Sequence, residues 1–176
     1  MVELYLLAFC RVVIGLVFAT SSFGKARNIP RFQQAVRDFQ LLPPGLSKPA
    51  ALLFLCGELL VVLLVAIGGP FLLPGFALAA LLLLMFSGAL TWVVTRRLQA
   101  TCNCFGTSNK KIVPADIWRN LGFLLCACGG CSVLTWTQHM HVELGAIEWL
   151  LVSLAACVFV LIWVQLGEIV QLFRLN

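Results

Sequence analysis

Five stretches of this chain, at about 4–23, 50–67, 71–94, 117–137 and 147–173, run apolar for close to the length needed to cross a bilayer. A hydrocarbon core about 30 Å thick takes roughly 20 residues of helix. Inside it, every backbone N–H and C=O must find a partner within its own segment or a closed barrel. Continuous runs fit helices, because a barrel strand would alternate apolar and polar residues. Composition leads to the same place: 61% hydrophobic and 11% charged residues leave too little polar surface to clothe a soluble globule. The expected fold class is all-α, a multi-pass membrane bundle over 1–176 read as one domain. No basic segment precedes the first run, Glu3 stands before it and Arg11 interrupts it. It therefore reads as a retained span rather than a cleaved signal peptide.

The charges set an orientation. Lys25, Arg27, Arg31, Arg37 and Lys48 fall between the first two spans, and Arg96, Arg97, Lys110, Lys111 and Arg119 between the third and fourth. The other two connections carry no Lys or Arg; the last holds His139, His141, Glu143 and Glu148. By the positive-inside rule the basic connections face the cytoplasm, the amino terminus lies outside and the carboxyl terminus inside. The net charge of +5 then reports orientation and contact with anionic lipid, not nucleic acid. The stretch at about 29–42 sets Phe32, Val36 and Phe39 against Arg31, Gln34, Arg37 and Asp38 at helical spacing, and Leu42-Pro43-Pro44-Gly45 ends it. It is a short amphipathic helix, lying either in the interface or over the end of the bundle. Gly68-Gly69-Pro70 and Leu73-Pro74-Gly75 make the next turn tight, so spans two and three are antiparallel neighbours.

Cys102-Asn103-Cys104-Phe105-Gly106 sets two thiols side by side in polar, turn-forming surroundings. A disulfide needs alpha carbons roughly 4.4–6.8 Å apart, so thiols two residues apart close a ring only with strain that a turn eases. Strained, exposed disulfides are the exchangeable kind. Arg96, Arg97, Lys110 and Lys111 flank the pair, and cations favour the attacking thiolate. Three readings of the pair stay open: a redox site, idle loop thiols, and a soft-metal site for Cu(I) or half of a zinc centre. His139 and His141 fall across the membrane from it, which argues against a shared zinc site, and no metal or cofactor is expected. Cys128 and Cys131 share a face of span four and are candidate secondary thiols; with Cys10, Cys56, Cys126 and Cys157 they otherwise read as small buried hydrophobes. Arg11 and Glu58 are ionisable groups inside spans. Each costs about 2.5–3.5 kcal/mol if left alone at a helix centre, so a mutual pair or pairing with Gln, Asn or Ser is expected. Glu58 could relay a proton released when thiols are oxidised, and Arg11 reads as a structural charge. Glu168 is a further deep acid.

Arg11, Gly15, Phe18, Ser21 and Lys25, then Phe32, Ala35, Val36, Phe39 and Leu41-Leu42-Pro43, then Glu58, the Cys102–Gly106 loop and Arg119-Asn120 follow one another in an order that resembles the methylamine utilisation protein MauE family, among the DoxX-like membrane proteins. The resemblance implies a four-helix core similar to that of vitamin K epoxide reductase-like proteins, with a fifth transmembrane helix added. It also implies a bacterial inner-membrane location and a role in maturing the disulfide-rich small subunit of methylamine dehydrogenase beside a thioredoxin-like, MauD-like partner. Cys102, Cys104 and Glu58 are the positions it carries over as catalytic. Two features depart from that pattern. Cys128-Gly129-Gly130-Cys131 has C-x-x-C spacing but falls in mid-span, which does not suit quinone chemistry of the reductase kind. The charge bias also puts Cys102 and Cys104 in the cytoplasm, whereas direct oxidation of an exported protein needs them outside. The resulting expectation is an inner-membrane thiol-disulfide oxidoreductase supporting maturation of an exported partner. A non-enzymatic scaffold or chaperone and a soft-metal carrier are the rivals.

Overall fold

Each apolar run is a helix in the computed structural model, which describes residues 2–40, 43, 45–96, 114–136 and 145–174, the side chains of 114, 115 and 166–174 excepted. The helices are α1 (Val2–Ala26), α2 (Ile29–Asp38), α3 (Ser47–Ile67), α4 (Leu72–Thr95), α5 (Pro114–Trp136) and α6 (Ala146–Arg174), with no strand among the described residues. Helices α1, α3, α4, α5 and α6 are long and apolar enough to span a membrane. The shortest of them, α3 with 21 residues, is about 31 Å long at 1.5 Å per residue, which matches a bilayer core.

Four helices close a ring, in which α1 packs on α3, α3 on α4, α4 on α5, and α5 back on α1. The sixth helix stands outside the ring against α1 and α5. Val13, Ile14 and Val17 of α1 meet Val61 and Val65 of α3, Phe76 and Ala79 of α4, and Phe123 and Ala127 of α5 in one core. The outer faces carry Leu53, Leu63, Met85, Leu125, Leu154 and Leu161, all exposed. Lipid tails are as apolar as these side chains, so close packing rather than burial from water holds the ring together.

Gly130 shows how close that packing is. A Cβ on Gly130 would stand 2.7 Å from Cζ of Phe76, whose side chain is fully buried on α4. Of the two glycines of the mid-span C-x-x-C, Gly130 is thus a helix-contact position, whereas a Cβ on Gly129 would meet nothing. Gly130→Ala should cost about 1–3 kcal/mol by overpacking, read as a lower thermal unfolding midpoint in detergent.

The outer helix is tied at two levels. Tyr5 Oη donates to Glu148 Oε1 at 2.6 Å, and Trp163 Nε1 donates to the Arg119 carbonyl at 3.0 Å. Between them Phe159 stacks on Trp163 with ring centroids 5.3 Å apart and meets Phe9 edge-on at 5.4 Å.

Helix α2 packs over the end of the bundle. Pro30 opens it, and Phe32, Ala35 and Phe39 are buried against the end of the bundle while Arg31, Gln34, Arg37 and Asp38 face outward. Phe39 packs with Val93 near the end of α4. The helix therefore covers the end at which α1 and α4 finish and α3 and α5 begin. Of the segment read as its terminator, Leu42 and Pro44 lie outside the described residues.

Candidate functional site

An ion pair lies beneath α2. Lys25, in the last turn of α1, brings Nζ to 2.5 Å from Glu58 Oε1 on α3, and the two side chains are 2% and 4% exposed. Ser21, one turn earlier on the same face of α1, donates its hydroxyl to the same oxygen at 3.1 Å. Taking two ions out of water costs several kcal/mol for each, more than a simple contact returns. The surroundings offset part of that cost. Three phenyl rings enclose Nζ: Phe54 of α3 at 4.8 Å, Phe32 of α2 at 5.1 Å and Phe86 of α4 at 5.7 Å from their centroids. Each ring face attracts a cation by about 0.5–2 kcal/mol, the more so where water is excluded. The rings also hold one another, with centroids 6.5 Å apart for Phe32 and Phe54 and 6.2 Å for Phe54 and Phe86.

The other carboxylate oxygen is treated differently. Glu58 Oε2 is buried and is the one such side-chain atom without a hydrogen-bond partner among the described residues. Glu58 lines a cavity of about 30 Å³ together with Ser21, Lys25, Phe86, Asp116 and Asn120. That volume admits a water-sized group, which needs only about 10–15 Å³. On its α5 wall Arg119 pairs with Asp116 at 3.2 Å, each side chain about 15% exposed. Asn120 Nδ2 donates to the Leu83 carbonyl at 2.9 Å and to Ser87 Oγ at 2.6 Å, which pins this wall to α4. The cavity thus touches α1, α3, α4 and α5 at the end of the bundle where the α4–α5 connection leaves at Arg96 and returns at Pro114.

Arg11 is elsewhere: of the two expected arrangements the mutual pair with Glu58 does not form, whereas Glu58 does meet a serine, Ser21. Helices α1 and α3 are antiparallel, so early positions of α1 face late positions of α3. Arg11 comes opposite Val65 and Ala66, and the Ser21–Lys25 turn opposite Glu58. Arg11 Nε and Nη2 donate at 2.9 Å each to the carbonyls of Val65 and Ala66, which the helix end leaves unpaired. Its guanidinium also lies 5.5 Å from the ring centroid of Trp149 on α6. Gly68, at φ 75°, ends α3 there, and a Cβ on it would stand 2.5 Å from Arg11 Nη2. Arg11 is a helix cap, satisfied by backbone rather than by an acid.

The cysteines divide. Cys128 is exposed on the outer face of α5 and Cys131 is half-buried against the core. Cys10 is buried in the core, Cys56 is exposed, and Cys126 and Cys157 are half-buried. Cys102, Cys104, Arg97, Lys110, Lys111, His139, His141, Glu143 and the side chain of Glu168 lie outside the described residues. Among the described residues no three His, Cys, Asp or Glu side chains gather as a metal site would require.

Reading the sequence missed Lys25 as a site residue, because a cation at the end of a span was counted toward orientation. The available signal was its spacing of four from Ser21, which puts both on one helix face. Asp116, Asn120 and the three phenylalanines were missed as well; they come from separate segments and carry no local motif.

A family model, methylamine utilisation protein MauE, matches residues 3–137, which include all four helices of the ring and the connection carrying Cys102 and Cys104. The methylamine utilization protein MauE of Paracoccus denitrificans is 34% identical over 104 residues, 58% of this chain and 55% of that protein. The chain thus spans little more than half the length of the curated relative it matches. No solved structure matches the chain.

Proposed function

Because the chain belongs to the methylamine utilisation protein MauE family, we propose that it serves methylamine utilisation as an inner-membrane thiol-disulfide protein in which Cys102 and Cys104 cycle between dithiol and disulfide. The cycle supports maturation of an exported, disulfide-rich partner, by exchange with a thioredoxin-like protein. One thiolate attacks the disulfide of the thioredoxin-like protein and expels one sulfur; the second thiol then attacks the mixed disulfide and expels the other. Two electrons pass from the loop dithiol to the thioredoxin-like protein. Two protons leave the loop thiols, and two are taken up by the sulfurs of the thioredoxin-like protein.

The observation that carries this reading is the unshared oxygen of Glu58, buried in a polar cavity at the end of the bundle where the two-cysteine connection is anchored. Intramembrane acids are costly, and a proton-handling role accounts for keeping one with an oxygen uncommitted. Lys25, Arg27, Arg31, Arg37, Lys48 and Arg96 collect at the same end, which favours the cytoplasmic side for it. With five spans, the amino terminus then lies outside and the carboxyl terminus inside.

Alkylation trapping in native membranes tests the proposal. Cys102 and Cys104 should shift between a maleimide-reactive dithiol and an unreactive disulfide as reductant or oxidant is added, and an impermeant maleimide should reach them from the cytoplasmic side only. Thiols that stay reduced at every potential reject the redox cycle in favour of a scaffold. Copper or zinc copurifying in a Cys102- and Cys104-dependent way rejects it in favour of a metal carrier.

A further inference from the structure

We propose that Cys10 of α1 and Cys126 of α5 form an intramembrane redox modification site, at which an uncharged hydroperoxide joins the two thiols as a disulfide and staples the seam where the ring closes. This goes beyond the function proposed above and uses neither Cys102 nor Cys104.

Helix register puts the two residues at one level. Helices α1 and α5 pack against each other antiparallel, the start of α1 beside the end of α5. Cys10 follows Val2 by eight residues, about 12 Å along its helix, and Cys126 precedes Trp136 by ten, about 15 Å along its own. Rotation agrees with register. Cys10 stands three and four residues before Val13 and Ile14, which share its face of α1, and is 3% exposed in the same core. Cys126 stands three residues after Phe123 and four before Gly130, on the stripe of α5 that meets that core, and it packs there half-buried. The two side chains interact thiol to thiol across the seam. The pair brought together thus comes from two helices, whereas Cys128 of the C-x-x-C faces outward.

Apolar surroundings select the chemistry. A disulfide is as neutral as the two thiols it replaces, so joining them leaves no ion in hydrocarbon, whereas two thiolates on Cu(I) would carry a net negative charge. Arg11, the next residue after Cys10, is already committed to the Val65 and Ala66 carbonyls. No third metal-binding side chain joins the two thiols among the described residues, which leaves a zinc site short of ligands. The oxidant must itself dissolve in the bilayer, hence an uncharged hydroperoxide. Cys126, the less buried of the two, reacts first: its sulfur attacks the peroxide, an S–O bond forms, the O–O bond breaks, and the thiol proton leaves with the alcohol. Cys10 then attacks the sulfenic sulfur; the S–S bond forms, the S–O bond breaks, and water departs with the Cys10 proton. Two thiols and one hydroperoxide give one disulfide, one alcohol and one water. Each sulfur loses one electron, and the hydroperoxide takes both.

The test uses the full chain in lipid nanodiscs, as the wild type and as C102S/C104S. tert-Butyl hydroperoxide is added, remaining thiols are blocked with N-ethylmaleimide, and the unreduced digest is read by mass spectrometry. A peptide joining Cys10 to Cys126 should appear in both proteins and be lost on addition of dithiothreitol and in C10A and C126A. The wild type supplies a second readout that needs no variant at these positions: its thermal unfolding midpoint should rise on oxidation, because a cross-link between distant residues restricts the unfolded chain, and fall back on reduction. Thiols of Cys10 and Cys126 that stay open to alkylation at every hydroperoxide concentration overturn the inference. So do sulfinic acids formed separately, or a peptide joining either residue to Cys128, Cys131 or Cys157. Joining in the wild type but not in C102S/C104S would make the Cys102–Cys104 pair the route of oxidation and overturns the direct reaction. Copper that copurifies with C102S/C104S and is lost when C10A or C126A is added makes the pair a metal site instead. The earlier proposal fails on a different result, the absence of a reversible disulfide between Cys102 and Cys104.

Discussion

Lys25→Met alone should cost about 3–5 kcal/mol of stability, because it leaves the Glu58 carboxylate buried without its counter-charge. The carboxylate lies in a side chain only 4% exposed, and its one remaining donor is Ser21. Adding Glu58→Gln should recover most of the loss, since a buried pair replaced by neutral groups of similar size is often neutral or stabilising. The double-mutant cycle, read as thermal unfolding midpoints in detergent, should give a coupling larger than the roughly 0–1 kcal/mol of an exposed pair. Additive single effects would mean that the two side chains do not meet in the membrane. The three rings refine the expectation. Methionine fills the cage with apolar bulk and keeps contact with Phe32, Phe54 and Phe86, so the change is electrostatic rather than a cavity.

Cys102→Ser and Cys104→Ser should each abolish maturation of the disulfide-rich partner in cells. A hydroxyl has nearly the shape of a thiol but neither attacks a disulfide nor forms one, so each variant removes the chemistry and spares the fold. The measurement is the amount of correctly disulfide-bonded partner, alongside the amount of the membrane protein itself. Loss of the first with the second unchanged is the expected result. Full maturation in the Cys102→Ser/Cys104→Ser double variant would instead leave this protein a scaffold. One serine variant should also accumulate a mixed disulfide with the thioredoxin-like protein, because the resolving sulfur is gone. Which of the two does so identifies the attacking cysteine.

Much of the architecture was legible because hydrocarbon imposes one rule on every segment. A run of about 20 apolar residues must satisfy its backbone internally, and a helix does so wherever the run occurs. Hence the five spans, the tight Gly68–Pro70 turn and the short amphipathic helix could all be read locally. The same local reading could say that the charges need partners, but not which ones. Arg11 and Glu58, each a lone ion in an apolar run, were expected to meet each other or a Gln, Asn or Ser; the antiparallel register of α1 and α3 sends Arg11 to the Val65 and Ala66 carbonyls and Glu58 to Ser21 and to Lys25. Ser21 and Lys25 were present in the sequence, but nothing within α1 marks Lys25 as buried. Its burial follows from α2 folding back over it.

Local chemistry, then, determined that this chain is a helical membrane bundle, and the order of a few residues along it was enough to point to its family. Tertiary structure decided which ions meet, which carboxylate oxygen stays unshared, and that α1, α2, α3 and α4 enclose one ammonium beside a cavity walled by α5. Spans follow from the free energy of backbone and apolar side chains in lipid, which adds up along a segment. Pairing follows from register and rotation between helices, which no single segment contains.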